Sequence, residues 1–130
     1  MIIIGHRFIP SKNFFHIINI DSIANTPPSS TLFLEFNEEN LDIISHLSIN
    51  DISYALCVRS IREIIYASAL NAAYLIVSKE LAKDAQKIAN EYLFDAKILV
   101  KIENDSEIEE LAQESIDGVI YSNAIIKINS

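Results

Sequence analysis

The chain predicts an α/β domain of repeated strand–helix units around a mostly parallel sheet of five or six strands. Two observations carry that expectation. Short apolar runs recur at Leu32–Phe36, Ile52–Val58, Tyr74–Val77, Ile98–Ile102 and Val119–Tyr121, 20 to 24 residues apart. The segments between them repeat apolar residues at helical rather than strand spacing. Alternating strands and helices imply parallel pairing with right-handed crossovers, and near-continuous apolar strands suit a sheet covered by helices. The sheet is either open and doubly wound or half-barrel-like, because a closed eight-stranded barrel needs roughly 200 residues and the chain has 130.

Residues 1–130 read as one domain, with 1–30 an irregular or extended segment and 31–130 the strand–helix repeats. Met1–Pro10 is a short extended piece ended by proline, and Phe14–Ile20 reads as a strand. Asp21-Ser22 opens a helical turn, and Thr26-Pro27-Pro28-Ser29-Ser30 is a loop. The first helix, around Glu38 to Leu47, is short. Ile61, Ile64, Ile65 and Ala69 share a face of the second. Leu81, Ala85, Ile88, Ala89 and Tyr92 share one on the third, and Ile108, Leu111, Ala112 and Ser115 on the fourth. Leu70-Asn71-Ala72 and Ile116-Asp117-Gly118 read as one helix-to-strand turn used twice, with Gly118 as a left-handed cap. Ala124–Ile128 forms a terminal strand or docked tail.

Composition narrows the function. Ten Lys+Arg against 18 Asp+Glu leave a net charge of -8, the wrong sign for binding phosphate backbones, so no nucleic-acid partner is expected. No apolar run is long enough to cross a membrane, and the amino terminus lacks a secretory pattern, so a cytoplasmic protein is expected. Two glycines cannot write a phosphate-cradling or dinucleotide-binding loop. The single Cys57 excludes an internal disulfide. His6, His16 and His46 share no metal-ligand spacing and read as packing or surface residues, and no cofactor or metal site is expected. Cys57 falls inside a strand and reads as a buried, inert thiol.

Ligands of parallel α/β sheets sit at the carboxyl ends of the strands. Reading off those ends selects Arg59, Ser60, Ser78, Lys79 and Asn123 as ligand-binding candidates, a set suited to a small anionic metabolite. The competing reading is helix capping. Ser60-Ile61-Arg62-Glu63 has the capping-box pattern, Asn104-Asp105-Ser106-Glu107 is close to it, and Asn37 and Ser78 stand at N-cap positions.

Lys101-Ile102-Glu103-Asn104, followed by a helix and then Ile116-Asp117-Gly118-Val119, resembles a strand–helix–strand segment of pyruvate kinase and related phosphoenolpyruvate-using barrels. The resemblance spans Lys97–Asn123. It implies that Lys101 acts on the transferring phosphoryl group and enolate, and that Glu103 holds a divalent metal. Where that family supplies a second metal carboxylate, this chain has Tyr121-Ser122-Asn123. The Ile-, Asn- and Ser-rich, Gly-poor usage resembles that of small proteins of Campylobacter-type bacteria and implies no activity.

Three functions remain open on these grounds. The leading one is a non-enzymatic protein-interaction or regulatory module, because no complete catalytic set can be assembled while apolar content is high. Seven acidic residues and no basic one from Glu103 to Asp117 offer it a docking face. The second is a domain binding a small anion, and the third a degenerate barrel-like enzyme using Lys101 and Glu103. Apolar edge segments at Met1–Ile4, Phe14–Ile20 and Ala124–Ile128 predict a homo-oligomer, most simply a dimer.

Overall fold

A computed structural model describes residues 1–128. Its strands are β1 (Ile2–Ile4), β2 (Phe14–His16), β3 (Thr31–Glu35), β4 (Tyr54–Cys57), β5 (Tyr74–Val77), β6 (Lys97–Ile102), β7 (Gly118–Tyr121) and β8 (Ile125–Lys127). The helices are α1 (Leu41–Ile49), α2 (Ile61–Ala69), α3 (Lys79–Glu91) and α4 (Ser106–Gln113), with short 3₁₀ turns at Asp21–Asn25, Glu38–Asn40 and Ser122–Ala124. Each of the four helices follows a strand whose apolar run ends in a polar residue. No helix among the described residues is long and apolar enough to cross a membrane.

All eight strands join one parallel sheet in the order β1-β7-β6-β5-β4-β3-β2-β8. Two more strands are present than the upper expectation of six. β1, β2 and β8 are three-residue segments from the chain ends, inside stretches the sequence marks as extended or strand-like. Within the first thirty residues the extended start supplies β1, and the strand expected at Phe14–Ile20 is the shorter β2. Only β3 to β6 are followed by α-helices, which is how eight strands fit into 130 residues.

Chain connectivity forces the sheet to curl. β7 and β8 stand six strand positions apart, about 29 Å in a flat sheet. Only Ser122–Ala124 separates them in the chain, and four Cα steps reach at most about 15 Å. The two edges therefore approach each other. Gly5, just beyond β1, lies so close to Ala124 that a Cβ on it would stand 2.8 Å from the Ala124 Cβ. Gly5 also has φ +99°, a backbone conformation that side chains disfavour. Both facts require glycine there.

Curling separates two apolar layers. The convex face of the sheet and the buried faces of all four helices form the larger cluster, including Leu34, Leu56, Leu75, Ile98 and Val119 with Ile44, Ile64, Ala85 and Leu111. The concave face holds a second cluster, Ile4, Phe14, Phe33, Ala55, Ile76, Leu99, Ile120 and Ala124, which contains no α-helical residue. Of the two sheet architectures expected, the half-barrel is the one present; a doubly wound sheet would carry helices on both faces.

The helices present faces rotated from those expected. α2 buries Ile64 and Ala67 and exposes Ile65 and Ala69. α3 buries Ala82, Ala85, Gln86 and Ala89, while Tyr92 lies exposed beyond its end. α4 buries Leu111 and exposes Ala112 and Ser115. In α3 small residues let the helix backbone approach the sheet, so the Ala82–Ala85–Ala89 stripe is the buried one. Buried Gln86 accepts a hydrogen bond from the Asp117 amide (2.8 Å), and the Asp117 carboxylate accepts one from the Ile98 amide (2.9 Å). Together they fix the start of β7.

One helix-end motif occurs four times. Asp51, Asn71, Leu93 and Ser115 have φ of 54°, 69°, 53° and 58° after α1, α2, α3 and α4. The following residue, Ile52, Ala72, Phe94 or Ile116, donates its amide back into the last turn. This is the Schellman arrangement built without glycine. The expected left-handed cap at Gly118 is corrected accordingly: Ser115 holds that conformation, and Gly118 lies in β7. A Cβ on Gly118 would stand 2.6 Å from the Ile2 Cβ and carbonyl oxygen, so glycine is there to admit β1.

Candidate functional site at the carboxyl ends of the strands

Strand residues two apart point to the same face. In each strand a concave-face apolar residue is followed, two positions on, by a polar one or by Cys57. Ile4 leads to His6, Phe14 to His16, Phe33 to Glu35, Ala55 to Cys57, Ile76 to Ser78, Leu99 to Lys101, Ile120 to Ser122 and Ile125 to Lys127. The interior is thus apolar in the middle and chemically rich at its carboxyl-end mouth, as the carboxyl-end faces of parallel barrels are.

Glu35 is the hub of this mouth. Its carboxylate pairs with the Arg59 guanidinium at 3.0 Å and is a hydrogen-bond partner of the Cys57 thiol. Burial, reinforced by that carboxylate, pushes the thiol up to about 11, so Cys57 is protonated and a poor nucleophile at neutral pH. His16 is half-buried and packs edge-on against Phe33, with ring centroids 4.9 Å apart. Burial lowers its pKa. The positive charges of Lys127 and Lys101 act in the same direction and that of Glu35 in the opposite one.

A cavity of about 510 Å³ opens over the ends of β4, β5 and β6. Cys57, Val58, Arg59, Ile76, Val77, Ser78, Lys79, Glu80 and Lys101 line it. Three cations therefore meet over a floor of Val58, Ile76 and Val77. Lys79 pairs with Glu110 of α4 at 3.1 Å, whereas Lys101 has no ion-pair partner among the described residues. The opening turn of α3 borders the same space, and its N-cap Ser78 makes no side-chain capping bond.

A second cavity, about 430 Å³, lies over the ends of β1, β6 and β7. Its lining includes His6, Glu103, Asp105, Tyr121, Ser122 and Asn123. Tyr121 donates to Asp105, and His6 Nε2 stands 3.2 Å from the other Asp105 oxygen. Those two bonds hold the Asp105 carboxyl below its ordinary range, while burial and the Asp105 carboxylate push the Tyr121 phenol up to about 12. The Phe8 amide donates to His6 Nδ1 (3.1 Å), so the ring carries its proton on Nε2 and gives it to Asp105. Ser122 donates to Glu103 at 2.6 Å. This cluster is self-satisfied. The metal that the family resemblance attaches to Glu103 does not fit it, because no group of three His, Cys, Asp or Glu side chains among the described residues converges as a ligand set.

The sequence candidates thus divide between two neighbouring cavities. Arg59, Ser78, Lys79 and Lys101 share the first, and Glu103 and Asn123 the second. Ser60 belongs to neither lining: its hydroxyl accepts from the Glu63 amide (3.2 Å), and Glu63 accepts from the Arg59 amide (3.0 Å), a working cap. Reasoning from strand ends overlooked Glu35 and Lys127 and set His16 and Cys57 aside as packing residues. The signal was available in the step of two from each inward apolar residue, but which strand face is inward follows only from the curl. A further cavity, about 530 Å³ beside the Thr26–Ser30 loop, lies at the opposite end of the sheet from this chemistry.

No protein-family model matches the chain, and no curated protein matches it either.

Proposed function

We propose that this protein binds a small anionic molecule, a phosphorylated or carboxylic metabolite, in the cavity over β4, β5 and β6. One observation carries the reading: Arg59, Lys79 and Lys101 come from three successive strand ends to one apolar-floored space, in a chain of net charge -8. Cationic groups and helix-opening amides are what recognise such anions. Capping accounts for Ser60 but not for Ser78, whose hydroxyl is left to the cavity. Cys57, a free thiol on the cavity wall, suits a reducing cytoplasmic setting. Thermal shift with inorganic phosphate, phosphomonoesters and simple carboxylates tests the reading. A ligand at a hundred times its Kd stabilises by about 2.7 kcal/mol, and Lys101→Ala removes the shift. No shift with any of these anions overturns it.

A second reading, a protein-interaction module that self-associates, draws on exposed apolar residues of the helices. Ile65 and Tyr66 on α2, with Tyr92 and Leu93 after α3, are exposed, Leu93 by 85%. Large exposed apolar residues favour docking of a partner or second copy. Light scattering across a wide concentration range tests it: a dimer that Leu93→Asp dissociates supports it, and a monomer throughout removes it.

A further inference from the structure

Resting on the anion-binding reading, we infer that the ligand carries two separate anionic groups, and that Lys127 and His16 receive the second. β8 pairs with β2 in parallel so that Lys127 stands beside His16 in register. Each follows a concave-face apolar residue by two, Ile125 and Phe14 respectively, so both face the mouth. Lys101 reaches the mouth from β6, and its charge, like that of Lys127, bears on the His16 ring. Lys101 thus belongs both to the cavity over β4–β6 and to the group around His16.

Two cations and one carboxylate act on the His16 ring. Glu35, the carboxylate acting on His16, is already paired with Arg59. Among the described residues eight of the ten basic side chains have no ion-pair partner, and of these Lys101 and Lys127 are the two whose charges bear on His16. These two lysines, whose charges act on a half-buried imidazole, have no paired carboxylate among the described residues, and a second phosphate or carboxylate supplies the counter-charge. Neutral His16 has a ring N–H to donate to it. A single phosphate in the first cavity engages Lys101, since Arg59 and Lys79 are already paired with Glu35 and Glu110, and leaves Lys127 unused. The ligand class is therefore a short, flexible compound with an anionic group at each end.

Two probes separate this inference from the reading beneath it: propylphosphonate, with one anionic end, and propane-1,3-bisphosphonate, with two. Calorimetric titration of the full chain at fixed ionic strength is expected to show the bisphosphonate binding about tenfold tighter, as one added charge-assisted contact provides. Lys127→Gln should abolish that advantage and leave propylphosphonate unchanged, whereas Lys101→Gln should weaken both. Lys127 is exposed at an edge strand, so its substitution leaves the fold intact, which circular dichroism verifies. Equal affinities for the two probes, or a bisphosphonate advantage that survives Lys127→Gln, overturn the inference while the single-anion site stands. Binding of neither probe removes both.

Discussion

Leu93 illustrates how a single residue can run against its backbone. It holds φ 53° at the end of α3 while its side chain is 85% exposed, so packing returns nothing for the strain. A left-handed conformation costs a branched residue about 1 kcal/mol relative to glycine. Leu93→Gly is therefore expected to raise stability by about 0.5–1 kcal/mol, read as a higher urea midpoint; a lower midpoint would show that Leu93 makes contacts that matter. His16 supplies a pH dependence. Burial holds its folded pKa below the ordinary value, so the unfolded chain takes up the proton first. Its contribution to stability is complete above about pH 6.5 and is lost as the pH falls from there toward the folded pKa. Melting temperatures from pH 7.5 to 5 should fall less steeply for His16→Gln than for the natural chain.

At the level of the element, two serines in equivalent positions behave differently. Ser60 caps α2 through the Glu63 amide, whereas Ser78 opens α3 with no side-chain cap. Ser60→Ala should cost about 1 kcal/mol and Ser78→Ala nearly nothing, measured by chemical denaturation. Equal losses would mean that Ser78 is a cap after all, and would weaken the anion site. The β1–β7 pairing depends on the bare backbone of Gly118, where a Cβ would meet Ile2 at 2.6 Å. Gly118→Ala is expected to destabilise by about 1–3 kcal/mol through overpacking, with faster hydrogen exchange concentrated at Ile2–Ile4. Uniform exchange across the sheet would contradict that local account.

For the whole molecule, the sheet order ties both chain ends into the fold. β1 pairs with β7 more than a hundred residues away, and β8 pairs with β2. Neither end can leave without opening an edge of the same curled sheet, so urea unfolding should be a single transition with coincident tyrosine-fluorescence and far-UV signals. Separated transitions would show β1 or β8 to be independent of the body. Such remote pairings must be closed before they contribute, which places folding in the millisecond-to-second range, accessible to stopped flow.

The alternation of strand and helix from Thr31 onward was determined by the sequence itself, because local hydrophobic period and capping residues act over a few neighbours. So were the positions of Arg59, Ser78, Lys79 and Lys101 at strand ends, since parallel connections leave those ends on one side. Tertiary structure alone decided the rest. β1, β2 and β8 lie in segments legible as extended or strand-like, but their three-residue bounds and their pairing partners follow only from remote contacts. The curl that follows from the short β7–β8 link turns one sheet face inward, and so brings His16, Glu35, Cys57, Lys101 and Lys127 to a common mouth. Period two tells which residues share a face; only closure of the whole sheet tells which face is inside.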